Sequence, residues 1–406
     1  MIGLNKLGRH RMLRSDMLPV LLVVFIAQVG FGLVMPLLPF YSQRFGASPL
    51  AVVALFSAFS LTQMVTAPLW GRVSDRYGRK PVLCWSMMVS VGAYLWMSQA
   101  DSLLALFLCR SVQGASSANM AVAQAYIADR TDPEERSKSM AAMGVVSGVS
   151  FALGPLLGGL LAELSDTPPG AHPFVAAGAL CAVAFLVVAL FAREPAVSRD
   201  QRQRRGVSLQ QFPGLLAQPR LRVLTGLFFA TTLIFSGVNA TVALWAQEYF
   251  AWGPHEVGLL MTTVGTVMVA VQLLGVGRIV RRFGDAGALV AGVAVIICGL
   301  LAMAIPGCGS LGVVANSLLA IGFGLTQPTI AALVSREGRE GEVGSLLGVN
   351  QSMGSLGRLL GPMLAGGLFT LGGSVLVYAL GALVMIGPLW ATVWFARRTP
   401  VLRRSG

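Results

Sequence analysis

The chain has 406 residues, of which 55% are apolar and 12% charged, with a net charge of +13 and a mean hydropathy of +0.72. So little charge excludes a soluble globular protein, whose water-facing surface needs more. Nor does +13 describe a nucleic-acid surface, because 27 of the 30 Lys and Arg lie before, after or in alternate loops between apolar runs, the pattern that orients a membrane protein.

In chain order, residues 1–28 resemble a secretory signal, with Lys6, Arg9, Arg11 and Arg14 ahead of an apolar run. The run is too long and lacks a small-residue cleavage site, so it reads as an uncleaved first span. Uncharged runs occupy 17–43, 45–71, 81–100, 139–162, 167–192, 223–247 and 257–277, and Arg110 alone interrupts 102–128. Two longer stretches follow, 286–335 without a charge and 343–396 with only Arg358. A helix of about 50 residues would be roughly 75 Å long, over twice a bilayer core of about 30 Å. Each long stretch therefore holds two spans, broken at Pro306, Gly307, Gly309 and Ser310 in the first and at Gly372, Gly373 and Ser374 in the second. The total is twelve helical spans, the form that satisfies backbone polar groups in lipid. Arg44 is the one cation in a loop of the opposite face, which makes both termini cytoplasmic.

Residues 193–222, the most hydrophilic interval, carry seven Arg and are punctuated by Pro195, Gly206, Pro213, Gly214 and Pro219. They read as a cytoplasmic linker with one short surface helix near 208–216, between a six-span bundle at 1–192 and another at 223–406. A repeat joins the two bundles. GRVSDRYG at 71–78 returns as GRIVRRFG at 277–284, and LGPLLGG at 153–159 as LGPMLAGG at 360–367. Duplicated helical halves are a transporter arrangement, with the substrate path between them.

GRVSDRYGRKP at 71–81, in the loop after span 2, resembles the signature of the major facilitator superfamily. GPLLGG at 154–159 in span 5 resembles that superfamily's antiporter motif, and FGLVMPLLPFY at 31–41 resembles the first span of its twelve-span drug/proton antiporters. The likeness covers essentially the whole chain, and its opening half most resembles the tetracycline and multidrug exporters. It implies an all-α integral membrane fold of two pseudo-symmetric six-helix bundles. The implied function is export of small amphiphilic molecules, drug-like compounds or metabolites, across a bacterial inner membrane by alternating access in exchange for protons. A monomer is expected.

The resemblance also implies roles for the loop residues. Gly71 would permit close helix approach and Gly78 a tight turn, while Asp75 would cap the start of span 11. Arg76 and Arg79 would pair with acids near the end of span 4, where Asp129, Glu135 and Arg136 lie, and the cluster would hold an inner gate shut. Gly154, Pro155, Gly158 and Gly159 in span 5, and Gly361, Pro362, Gly366 and Gly367 in span 11, suit backbone-to-backbone packing at a moving interface.

A mid-membrane arginine is costly and usually faces a cavity. Arg110, in RSVQG at 110–114, resembles the span 4 motif linked with proton transfer, a role assigned here jointly with Asp75. A bland alternative satisfies it through carbonyls, Gln28 or Gln63. Arg358 is the second such residue. All 17 carboxylates lie in loops or at span ends, and Ala27 and Ala93 stand where tetracycline exporters carry membrane-embedded aspartates. Two arginines without a counter-charge disfavour a permanent cation and favour a neutral, zwitterionic or weakly acidic amphiphile. The cleft candidates are Gln28, Phe31, Gln63, Asn119, Asn239, Gln327, Asn350 and Arg358, though interhelical hydrogen bonding explains an isolated Asn or Gln equally well.

Other classes find less support. No phosphate-binding loop suggests ATP-driven transport. Asp129 and Asp132 form a lone DxxD that would suit magnesium in a membrane enzyme, but Asp132-Pro133-Glu134-Glu135 reads as a turn and helix start. A metabolite uptake symporter is disfavoured by the span 5 motif. Five scattered cysteines and three scattered histidines call for no metal, cofactor or disulfide framework.

Overall fold

The computed structural model describes residues 2–117, 119–130, 133–164, 171–194, 218–305, 309–337 and 343–398, with backbone alone at 2–17, 119, 128, 133–141, 343–345, 347 and 398. Every regular element among them is helical. The linker segment 195–217, including the short helix expected there, lies outside the described residues.

Span 1 belongs to the helix Ile2–Val34, which a turn and the short helix Leu38–Gln43 extend. Spans 2 and 3 are Pro49–Tyr77 and Arg79–Ser98, separated by Gly78 alone. Spans 5, 6, 7 and 10 are Pro133–Glu163, His172–Phe191, Pro219–Phe250 and Gly309–Glu337. Span 8 starts at Pro254, passes a π-helical turn at Val271–Gly275 and reaches Gly284, where φ 73° and ψ 170° break it from span 9. Spans 11 and 12 share Val343–Arg398, divided at Gly372 and Gly373. Both divisions fall at glycines whose missing Cβ permits a conformation other residues avoid.

Span 4 departs from the continuous helix that 102–128 suggests. It consists of Leu103–Ser116 and Asn119–Arg130, with Ser117 non-helical at φ −75°, ψ 61°. No glycine or proline stands at 115–120. Side chains from other spans instead occupy the polar groups a break releases: Trp70 Nε1 donates to the Ala115 carbonyl at 2.6 Å, Ser86 Oγ to the Ser116 carbonyl at 2.5 Å and Gln63 Nε2 to Ser117 Oγ at 3.0 Å. In a medium without water, such partners make a broken helix tolerable.

The chain divides into two compact units, residues 1–46, 58–206 and 254–262 in one and 47–57, 207–253 and 263–406 in the other. In the first, Val23, Val82, Leu83, Met87, Val122, Ala184 and Val188 form one buried cluster from spans 1, 3, 4 and 6. In the second, Leu224, Leu227, Phe228, Leu289, Ile330, Leu346 and Phe395 do the same for spans 7, 9, 10, 11 and 12. Many large apolar side chains stay on the outside, among them Trp85, Leu104, Leu190, Leu371 and Trp390, each at least 66% exposed. Lipid, not water, suits such a surface.

Candidate functional site

At the ends of spans 2, 4 and 6 the first unit gathers a charge cluster. Gly78 adopts φ 105°, turning the chain sharply from span 2 into span 3. Arg79, 6% exposed, then reaches three partners: Asp75 at 2.7 Å, Asp129 at 3.1 Å and Ser74 Oγ at 2.5 Å. Such a buried guanidinium is retained only with charge-assisted bonds of this kind. Arg76 is exposed and stacks over Tyr77, its charge 5.4 Å from the ring. Arg136 has no described side chain. At Gly71 a Cβ would meet nothing within 4 Å. That corrects the expected close approach, since among the described residues no helix uses the space Gly71 leaves.

Sequence reasoning missed Glu194. Its two carboxylate oxygens accept the first backbone N–H groups of span 3, from Arg79 at 2.7 Å and Lys80 at 2.8 Å. An anion at a helix start satisfies orphan donors and meets the positive end of the dipole. Lys80 Nζ ties back to the Ala189 carbonyl at 2.8 Å, and Tyr126 donates to the Arg193 carbonyl at 2.6 Å. The exit of span 6 is thus bound to the signature loop and to the end of span 4. The available signal was an acid at the exit of an apolar span, beside an arginine-rich interval.

Arg110 is 1% exposed. Its charge lies 4.7 Å from the Phe59 ring and 5.6 Å from Phe31, and Nη1 donates to Gln113 Oε1 at 2.5 Å. Two aromatic faces and an amide stabilise the cation. Gln28 and Gln63, considered from sequence as partners for Arg110, donate instead to Ser147 at 2.8 Å and Ser117 at 3.0 Å. Both therefore act as ties between helices.

The span 5 glycines serve packing. A Cβ at Gly154 would stand 2.8 Å from the Gly32 Cα, and one at Gly158 only 2.2 Å from the Leu33 carbonyl oxygen. Neither position has room for a larger residue. The buried Pro155 lies between them, and at Gly159 a Cβ would come within 3.2 Å of the His255 backbone. Glu163 and His255, 3.2 Å apart, pair at that end of spans 5 and 8. The second unit repeats the device, since a Cβ at Gly361 would fall 2.4 Å from the Leu233 carbonyl oxygen.

The remaining cleft candidates are dispersed. Asn239 donates to the Phe235 carbonyl of its own helix at 2.7 Å. Gln327 reaches Thr232 at 3.3 Å and Thr231 at 3.5 Å, joining spans 10 and 7. Asn350 is 3% exposed, and Arg358 donates to Ser355 Oγ at 3.0 Å. Of Asn119 only the backbone is described. Among the described residues no group of His, Cys, Asp and Glu could hold a metal.

Helices that pack through bare backbone, a charge cluster at span ends and two arginines within apolar spans define a multi-pass membrane carrier built on an internal repeat. The chain belongs to the Major Facilitator Superfamily, whose family model matches residues 20–362 and, in a second match, 224–406. It is 31% identical over 401 residues to the class G tetracycline resistance protein of Vibrio anguillarum, covering 97% of this chain and 98% of that one. Multidrug resistance protein 2 of Bacillus subtilis is 25% identical over 387 residues, with 91% and 93% covered. Among solved structures, the human organic anion transporter MFSD10 (TETRAN) matches with a TM-score of 0.70 at 22% identity, covering 94% of this chain and 99% of that one. The nucleoside transporter NupG gives 0.76 at 14% identity, with 95% and 100% covered.

Proposed function

We propose that this chain is a secondary exporter of small amphiphilic molecules, exchanging them for protons across a bacterial inner membrane as a monomer with cytoplasmic termini. Residues 1–192 and 223–406 act as the two moving bodies, with 193–222 as their tether. Similarity along nearly the whole chain to a tetracycline resistance protein and a multidrug resistance protein supports export most directly. Arg79, Asp75 and Asp129 supply the charged latch of the inner gate, and Arg110 with Asp75 carries proton coupling. Tetracycline is not the favoured substrate, because Ala27 and Ala93 leave spans 1 and 3 without an acid.

Purified protein in liposomes with an imposed pH gradient, tested with a chemically diverse panel, reads direction, coupling and substrate together. Flux of at least one amphiphile that scales with the gradient and fails in Arg110→Ala is the expected result. Flux indifferent to the gradient removes proton exchange, and ordered accumulation in the opposite sense makes the protein an uptake symporter.

A further inference from the structure

Arg358 stands near the middle of span 11, within Val343–Arg398 and ahead of the break at Gly372. Among the described residues its one side-chain bond is the 3.0 Å donation from Nη2 to Ser355 Oγ, a neutral acceptor. The carboxylates of the second half, Glu248, Glu256, Asp285, Glu337, Glu340 and Glu342, all lie at or beyond span ends. An arginine within a membrane requires a partner, and the spans provide no anion.

The surroundings are shaped for something more than an apolar wall. Gly354, one turn earlier on the same face, lets the Phe228 ring of span 7 pack close beside the guanidinium: a Cβ there would fall 2.5 Å from that ring and 3.5 Å from Arg358 Nη1. The next glycine, Gly357, brings Thr232 of span 7 against span 11, and Thr232 holds the Gln327 amide. A guanidinium and an aromatic ring thus meet at Gly354, and a hydroxyl with its amide partner lies beside Gly357, one turn further along the same span of the second unit. Guanidinium matches a carboxylate with two parallel N–H donors, and the ring accepts the apolar part of the same molecule.

Resting on the exporter reading, we propose that Arg358 binds the carboxylate of the transported molecule, and that the substrates are amphiphilic organic acids carried as monoanions. The counter-charge missing from spans 7 to 12 arrives with the substrate. Thr232 and Gln327 are positioned for its second oxygen, while Phe228 contacts its body.

The test uses the full chain in phosphatidylcholine liposomes, free of anionic lipid, with an aromatic carboxylate dye and its methyl ester as matched probes. Wild type is expected to carry the acid at least tenfold faster than the ester. Arg358→Gln should lower the acid-to-ester rate ratio at least tenfold, and Arg358→Lys should restore part of the preference. If wild type prefers the ester, or a quaternary amine analogue, the anion site is refuted while the exporter reading survives. Loss of both probes in Arg358→Gln, with Arg358→Lys no better, assigns the residue to structure and also overturns the proposal. Transport of neither probe nor of any amphiphile under a pH gradient removes the exporter reading itself. Dye binding to detergent-purified protein, lost in Arg358→Gln and kept in Arg358→Lys, must accompany the transport result.

Discussion

Arg79 Nε and Asp129 Oδ2 lie 3.1 Å apart, with side chains 8% and 4% exposed. The second unit holds a pair of reversed polarity at the same place: the 206-residue offset that takes Gly78 to Gly284 takes Arg79 to Asp285 and Asp129 to Ser335, and Asp285 pairs with Arg336, the next residue. Both pairs follow a glycine of positive φ, Gly78 in one unit and Gly284 in the other. What the repeat preserves is an ion pair between a loop and the end of the span two further on, not the sign at either end. The second pair is the weaker of the two, because Arg336 is 64% exposed and solvent screening leaves such pairs about 0–1 kcal/mol.

Exchanging the first pair is therefore expected to succeed where breaking it fails. Arg79→Asp or Asp129→Arg alone leaves a buried charge unpaired, a cost of about 3–5 kcal/mol, and should lower transport more than tenfold. The double exchange should recover at least a third of wild-type flux. Transport assays on the three variants at matched membrane levels check this, and a double variant no better than either single one would show that sign matters.

Glu194→Gln keeps the shape of the cap on span 3 but removes its charge. The expected loss is about 1 kcal/mol, read as a fall of a few degrees in the thermal unfolding of purified protein. Gly78→Ala should cost more, since it strains a φ of 105° and places a Cβ 2.8 Å from the same carboxylate. In Glu194→Ala the steric part disappears, so adding Gly78→Ala there should cost less than it does in wild type.

The glycines sort into two groups. Gly158→Ala and Gly361→Ala drive a methyl to within 2.2 and 2.4 Å of a carbonyl oxygen on the neighbouring helix. Either should sharply reduce the yield of folded protein. Gly71→Ala, Gly144→Ala and Gly367→Ala meet nothing within 4 Å and should fold normally. Fluorescence-detected size exclusion of all five distinguishes the groups.

Arg110 tests coupling separately from folding. Phe59→Leu removes the nearer ring and a contact of about 0.5–2 kcal/mol, so gradient-driven flux should fall several-fold while substrate exchange at equal pH changes little. Equal losses in both assays would give Phe59 a packing role only.

Much of this was legible in the chain. The glycines at 372 and 373 betray the division between spans 11 and 12, because a break in an apolar run needs a residue that adopts unusual backbone angles. Gly284 was visible too, as the last residue of a repeated motif. The break in span 4 was not, since no glycine or proline announces it and its carbonyls are satisfied by Trp70 and Ser86, residues 45 and 30 positions away. Glu194 escaped for the same reason: its partners are 115 and 114 residues distant. Asp285 and Arg336 looked like ordinary loop charges until the fold brought them together. Local backbone preference is written locally, whereas polar satisfaction inside a membrane depends on which spans become neighbours.

The central claim, exchange of substrate for protons, is tested most directly by pyranine trapped inside proteoliposomes whose voltage is clamped with potassium and valinomycin. Adding a transported substrate outside should raise the internal pH as protons leave against substrate entry, and Arg110→Ala vesicles should show no such change. Internal acidification beyond that of protein-free vesicles, or substrate entry with no proton movement at all, would contradict it.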